Sequence, residues 1–268
     1  MRTWIGVGVL GLVTSGCGLV TAREAREAVV EAARSSGYQR VTDTPIELTT
    51  TVTLGDRVEA ATEALADWWR SQAACAEVTV EGAAVRVDHG VLDDGCTWQG
   101  RGWQGVHTLT LTDLGPPIAL EHRWEGFGDD LTTVDGIARV RWDLDALERQ
   151  VITDLDWATD DRTTAVTGEH AYRLLDPDLG LLGGVVLDGS RSWEVAQAPW
   201  DLQMEGIELR WVDPAPQAGT FTVTTPRGAE VGITFRRVGP ATIRATVDGT
   251  RRSWSFDVTL VGVELVEG

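Results

Sequence analysis

Two hydrophobic periods divide the chain. Between about residues 21 and 72 apolar positions recur three and four apart, and from Glu77 onward they recur every second residue. The first period predicts two helices. Thr21-Ala22-Arg23-Glu24 has capping-box spacing, and Ala25, Val29 and Ala32 then fall on one face. Gly37 is placed to end that helix, so the pattern predicts a first helix over about 21–36. A second helix over about 56–72 begins at Asp56, with Glu59 three residues on, and carries the stripe Val58, Ala61, Leu65 and Trp68.

The second period predicts strands. Val78/Val80 and Val85/Val87 alternate with polar residues. Similar runs follow at His107–Leu111, Ile118–Trp124, Ile137–Trp142, Val151–Trp157, Ile207–Trp211, Phe221–Thr225, Val231–Phe235, Ile243–Val247 and Trp254–Leu260. Gly-, Pro- and Asp-rich gaps separate them, and helical stretches are too few for parallel βαβ units. The expected fold is mainly β: a large curved antiparallel meander, half-barrel or sandwich-like, with one or two N-terminal helices covering its apolar face. Asp135-Gly136, Asp188-Gly189 and Asp248-Gly249 read as hairpin turns. With Trp142-Asp143-Leu144 after the first and Trp200-Asp201-Leu202 after the second, they predict a duplicated unit of about 55 residues within one continuous sheet.

The N-terminus reads as an address. Arg2 precedes a ten-residue apolar run, Trp4 to Val13, too short to span a bilayer and matching a signal-peptide core. The run ends in Thr14-Ser15-Gly16-Cys17, which resembles the lipobox of bacterial lipoproteins. There the cysteine is acylated and becomes the first mature residue. The resemblance implies a signal peptide over 1–16 and a lipid on Cys17, and the strand pattern then makes 17–268 a single β-rich domain with the N-terminal helices. Gly18, with no Asp retention signal after the cysteine, implies the outer membrane of a Gram-negative cell envelope. Cleavage of an ordinary secretory peptide after Ala22 is the alternative. Gly6-Val7-Gly8-Val9-Leu10-Gly11 spells GxGxxG, but inside an export signal it carries no nucleotide-binding meaning.

Composition narrows the function classes. With 43% hydrophobic residues, a chain of 268 residues can bury a sizeable core. A formal net charge of −18 opposes nucleic acid and anionic lipid surfaces. Every cation is Arg, and Lys and Asn are both missing, which reflects a GC-rich genome. The missing Lys also removes Schiff-base chemistry. Twelve Trp against four Phe and two Tyr require a core, a cavity or an interface to hold them. With Cys17 assigned to lipid, Cys75 and Cys96 remain for one disulfide across 21 positions in an oxidising compartment. A shared metal site for the two cysteines is the lesser alternative.

Candidate chemistry is thin. Pairing Leu111 with Ile118 and Leu109 with Leu120 sets His107 opposite His122. Such a pair could hold Zn²⁺ or Cu²⁺, with Asp88 or His89 as a third ligand. Two neutral core imidazoles are the plainer reading. Asp154 and Asp156 alternate with Leu155 and Trp157 and belong to a solvated acidic face. Asp176-Pro177-Asp178 lacks the later ligands of a Ca²⁺ loop. No GxSxG, HExxH or catalytic-cysteine context occurs, so neither catalytic residues nor a cofactor is expected.

The body, through Cys75-Ala76-Glu77-Val78, Val85-Arg86-Val87-Asp88-His89-Gly90, Cys96-Thr97-Trp98 and Thr224-Thr225-Pro226-Arg227-Gly228, resembles uncharacterised envelope lipoproteins of GC-rich Gram-negative bacteria. That likeness brings no activity with it. A more distant architectural analogy is the half-barrel with a helical lid used by periplasmic lipoprotein carriers. The expected role is structural or interaction-based, on a membrane through the N-terminal lipid and with an envelope protein as partner. The alternative is a carrier of an apolar ligand in a Trp-lined cavity under the helices. The two differ in whether the interior is filled or leaves a void of several hundred cubic ångströms.

Overall fold

Helix α1 spans Ala22–Thr49 and helix α2 spans Val58–Gln72 in the computed structural model, which describes residues 20–49, 57–92, 96–98, 100–210, 213, 215–248, 253–259 and 262–267. The signal, lipobox and GxGxxG positions, Asp56 and Gly249 lie outside the described residues. The capping box forms as the spacing predicts: Glu24 N donates to Thr21 Oγ1 (3.2 Å) and Thr21 N donates to Glu24 Oε2 (2.9 Å).

The end of α1 does not follow the prediction. Gly37 sits inside the helix, and Pro45 lies within it too. Glycine costs a helix interior only about 1 kcal/mol relative to alanine, which tertiary packing overrides. The buried face runs Ala25, Ala28, Ala32, Ser35, Gln39, Thr42, Ile46 and Thr49, at unbroken three- and four-residue spacing. Beyond Ala32 most of it is polar, so the apolar signal fades while the inward face persists.

The strands are β1 (Glu77–Glu81), β2 (Ala84–Asp88), β3 (Thr97–Trp98), β4 (Arg101–Gly102), β5 (Gln104–Asp113), β6 (Ile118–Gly128), β7 (Thr133–Asp143) and β8 (Glu148–Ala158). They continue with β9 (Thr163–Leu174), β10 (Val185–Val195), β11 (Ala198–Leu209), β12 (Ala218–Thr224), β13 (Glu230–Gly239), β14 (Thr242–Asp248), β15 (Ser253–Thr259) and β16 (Gly262–Glu267). All but β3 and β4, which pair with each other, form one open 14-stranded antiparallel sheet in sequence order. The mainly β meander is therefore as expected. The alternation holds in β8, where Val151, Leu155 and Trp157 are buried and Asp154 and Asp156 are exposed. The expected strand at Ile207–Trp211 is instead the last part of β11, which begins at Ala198.

Strands β9 and β10 have no counterpart in the predicted set. Their inward positions explain the miss. In β9 these are Thr164, Val166, Gly168, His170 and Tyr172; in β10 they are Val185, Leu187, Gly189, Arg191 and Trp193. Polar, charged and glycine residues at inward parity erase the hydrophobic contrast on which period-two reading depends.

The Asp-Gly pairs are corrected as well. Asp135-Gly136 lies inside β7 and Asp188-Gly189 inside β10, rather than at turns. Each Asp accepts a hydrogen bond from a bulged glycine on the neighbouring strand: Gly126 N to Asp135 Oδ1 (2.8 Å) and Gly206 N to Asp188 Oδ1 (2.7 Å). A Cβ on Gly136 would meet the Asp154 carbonyl oxygen at 2.3 Å, so glycine is required there for close strand approach. Trp142 lies near the end of β7, whereas Trp200 lies at the start of β11, across a hairpin from Asp188. The Asp-Gly and Trp positions of the two segments are therefore not structurally equivalent, contrary to the expected repeat. The third pair differs from both, because Asp248 ends β14 and β15 follows at Ser253.

Both helices lie on the apolar face of the sheet. Helix α2 buries Leu65 and Trp69 next to β1, β2 and β5, while α1 covers the middle of the sheet. Trp103, just before β5, and Val258 of β15 line one cavity. In a flat sheet strands this far apart, at roughly 4.8 Å spacing, would be separated by about 48 Å. The sheet therefore curls around α1.

Candidate functional site

The cavity between α1 and strands β10–β13 has a volume of about 400 Å³. Leu187, Met204, Ile207, Phe221 and Ile233 form its apolar floor, and α1 supplies the roof through Val29, Ala32, Gly37 and Gln39. The floor follows directly from the alternation, because each of these side chains occupies an inward position on its strand. Gly37 also works here: a Cβ at this position would have nothing within 4 Å, so the roof leaves open space at that turn. Among the described residues Trp103 is the one tryptophan that lines the cavity. Its walls are aliphatic and phenyl and do not form the Trp-lined space expected from composition. Other Trp residues pack into the interior, as with Trp69 against Trp98 (5.0 Å between ring centroids) and Trp193 against Trp200 (6.2 Å).

One end of the cavity is polar. Asp43 is half-buried at its wall and accepts from Gln39 Nε2 (3.3 Å) and Tyr172 Oη (3.4 Å). Gln39 Nε2 also donates to Tyr172 Oη (2.9 Å). Behind them Glu47 and Arg149 form an ion pair in which both side chains are only 8% exposed, and the Arg149 guanidinium lies 4.4 Å from the Tyr172 ring centre. Burial, with the neighbouring charge of Glu47, pushes the Asp43 carboxyl up to about 6. Burial also drives the Tyr172 hydroxyl well above its ordinary range.

Arg191 of β10 is the buried cation of the cavity wall. It is 3% exposed and lines the cavity. Its Nη1 donates to the Ser35 carbonyl oxygen (2.7 Å), its Nε has no partner, and its guanidinium lies 5.9 Å from the Trp157 ring centre. Among the described residues no carboxylate lies within 4 Å of it. Burial pulls its pKa down to about 10, against partial support from Tyr172 and Asp43. Arg40, Arg101 and Arg210 line the more exposed parts of the cavity, with Asp213 as the second acid. In a chain of net charge −18, this cavity gathers four cations and two anions.

Residues singled out from the sequence lie elsewhere. Cys75 and Cys96 form the disulfide. His107 and His122 do come together, Nε2 to Nδ1 at 2.9 Å, but not in the expected register. Leu111 pairs with Leu120, Leu109 with His122 and His107 with Trp124. The pairing is offset by two residues from the expected one, so the two imidazoles meet diagonally. Trp69, Trp124 and Phe127 surround His107. Among the described residues no group of three His, Cys, Asp or Glu side chains is placed to hold a metal ion. Gln39, Asp43, Arg149, Tyr172 and Arg191 were not foreseen. The signal available for them was a broken alternation carrying charged residues at inward parity.

Comparison with protein-family models, with curated proteins and with solved structures finds no match for this chain.

Proposed function

We propose that this protein is an envelope lipoprotein, acylated at Cys17, that binds a small apolar or amphipathic molecule in the cavity beneath α1. The observation that carries this reading is the unfilled space of about 400 Å³ under the helix, within the range typical of small-molecule sites. Ordinary interiors pack to crystal density and leave few voids larger than a water molecule. The wall also has the composition of a ligand site, apolar over most of its area and with polar groups, Arg191 and Asp43 among them, at defined positions. The export reading supports the same assignment, since a lipid-anchored carrier would meet apolar molecules at the membrane.

The test uses a neutral probe. Titration of the purified protein with 1-dodecanol, followed by tryptophan emission, is expected to saturate at one molecule per chain, because Trp103 faces the cavity. Saturating probe should also raise the melting temperature. Val258→Trp, which fills the cavity from a late strand, is expected to abolish the change while the protein stays folded. Non-saturating emission with no rise in melting temperature overturns the assignment.

A further inference from the structure

We infer that the ligand carries a carboxylate head and that Arg191 is the residue that binds it, an inference that rests on the cavity being a ligand site. Arg191 is the buried cation of the cavity. Its Nη1 is held by the Ser35 carbonyl, its Nε is unpartnered, and among the described residues no carboxylate lies within 4 Å of it. A cation this deeply buried is costly unless paired. The neighbouring acid does not complete the pair, because the hydrogen bonds that Asp43 accepts come from Gln39 and Tyr172. The guanidinium is planar and presents parallel N–H donors, which fit a carboxylate in a bidentate contact. It is also fixed in place, tied to α1 through Ser35 and lying over Trp157, so little ordering cost remains for the ligand to meet.

The rest of the cavity fits the tail of such a molecule. Leu187 lies on the same face of β10 as Arg191, and Met204, Ile207, Phe221 and Ile233 extend the apolar floor across β11, β12 and β13. An acid of one medium-length alkyl chain thus meets a cation at one end and hydrocarbon along its body. Arg40, Arg101 and Arg210 around the same cavity add a positive field that draws an anion toward an otherwise acidic protein. The volume of about 400 Å³ is at the small end for ligand sites, which favours a single chain over a two-chain lipid.

The experiment compares heads on one tail. Dodecanoate, 1-dodecanol and dodecylamine, each below its aggregation concentration, are titrated at pH 7.5 against the full chain by tryptophan emission. Dodecanoate is expected to bind at least about tenfold more tightly than 1-dodecanol, with dodecylamine weakest. In Arg191→Met the preference for the acid over the alcohol should vanish while alcohol binding persists. Arg191→Lys, which keeps the charge but not the fork, should retain part of it. The wild-type comparison stands without any variant. Equal binding of acid and alcohol overturns the head-group inference and leaves the cavity reading intact, whereas no saturable binding by any of the three removes the cavity reading itself. A full acid preference in folded Arg191→Met overturns the assignment to Arg191.

Discussion

His107 and His122 stack with their ring planes 10° apart and join Nε2 to Nδ1 at 2.9 Å, one imidazole donating to the other. The outer nitrogens, Nδ1 of His107 and Nε2 of His122, have no partner, and both residues are fully buried. In the neutral pair each ring carries one N–H proton, one of them in the shared hydrogen bond, and a third proton would place a charge among Trp69, Trp124 and Phe127.

Burial holds His107 well below its ordinary value, His122 at about 3, His89 at about 4 and His170 at about 3. A histidine whose folded pKa is depressed gives stability that is complete above its unfolded value of about 6.5 and is lost as pH falls below it. Each contributes a slope of up to about 1.4 kcal/mol per pH unit below that point. Urea denaturation at pH 7.5, 6 and 5 should therefore show a steep fall in stability. Equal stability at pH 7.5 and 5 counts against four neutral buried imidazoles.

Glu47 and Arg149 tie the second half of α1 to β8 through a buried ion pair. Removing one partner strands a charge, at a typical cost of about 3–5 kcal/mol. Glu47→Ala should destabilise by that order in urea denaturation, whereas Glu47→Ala with Arg149→Met should recover much of the loss. A loss below about 1 kcal/mol for the single variant would show that solvent reaches Arg149 when the carboxylate is removed.

How far the fold was legible depended on which way polarity and burial ran. In β8, Leu155 and Trp157 alternate with Asp154 and Asp156, and the meander around them could be read directly. The reading stopped where inward positions are polar. Gln39 and Thr42 continue the buried stripe of α1, and Gly168, His170, Gly189 and Arg191 take inward positions in β9 and β10. Of these, Gln39 and Arg191 line the cavity, and His170 meets Gln39. Local rules are broken where the fold holds a polar group in place for a reason other than packing. The hidden half of α1 and the unforeseen strand β10 thus line the candidate site. Asp135-Gly136 misled for a related reason: Asp served as a cap for a bulged glycine across strands, a role with the same local sequence as a hairpin turn.

Asp43 has the opposite pH sign to the histidines. Its folded carboxyl is raised to about 6, so it favours the folded state fully below the unfolded carboxylate value and loses that contribution as pH rises through about 6. Glu47 on its own helix, Arg149 of β8, Tyr172 and His170 of β9 and Arg191 of β10 are the ionisable groups of this cluster. Asp43→Asn removes an ionised group disfavoured at neutral pH. The variant should be at least as stable as the parent at pH 7.5 and should bind dodecanoate more tightly there, with the difference closing toward pH 5. Weaker dodecanoate binding by the folded variant would show that Asp43 supports the anion site.

Cys75 lies just beyond the end of α2 and Cys96 just before β3, with a sequence separation of 21. Closing a loop of that size stabilises by roughly 3 kcal/mol through the unfolded chain. Cys75→Ala with Cys96→Ala should lower stability by about that amount. Alkylation before and after reduction should differ by two alkyl groups in intact mass, and two alkyl groups added without reductant would contradict the bridge.

The proposed acylation bears on the cavity through the start of α1. Thr21 caps that helix through its reciprocal contact with Glu24, only four residues after Cys17. Processing at Cys17 keeps the cap. Cleavage after Ala22, the competing reading of the N-terminus, removes Thr21 and leaves the roof helix of the cavity without it, at a cost of about 1 kcal/mol. The lipoprotein proposal therefore expects mature protein that begins at Cys17, carries acyl groups by mass, and stays with membranes through a salt wash. Cys17→Ser should abolish lipid labelling and move the protein to the soluble fraction, since stable anchoring takes more than one acyl chain. Its ligand binding should persist, because the substitution leaves the Thr21–Glu24 cap and the cavity-lining residues from Val29 onward unchanged. Mature protein beginning at Arg23, or a Cys17→Ser variant that still partitions with detergent, would sink the acylation proposal and leave the cavity argument standing on its own residues.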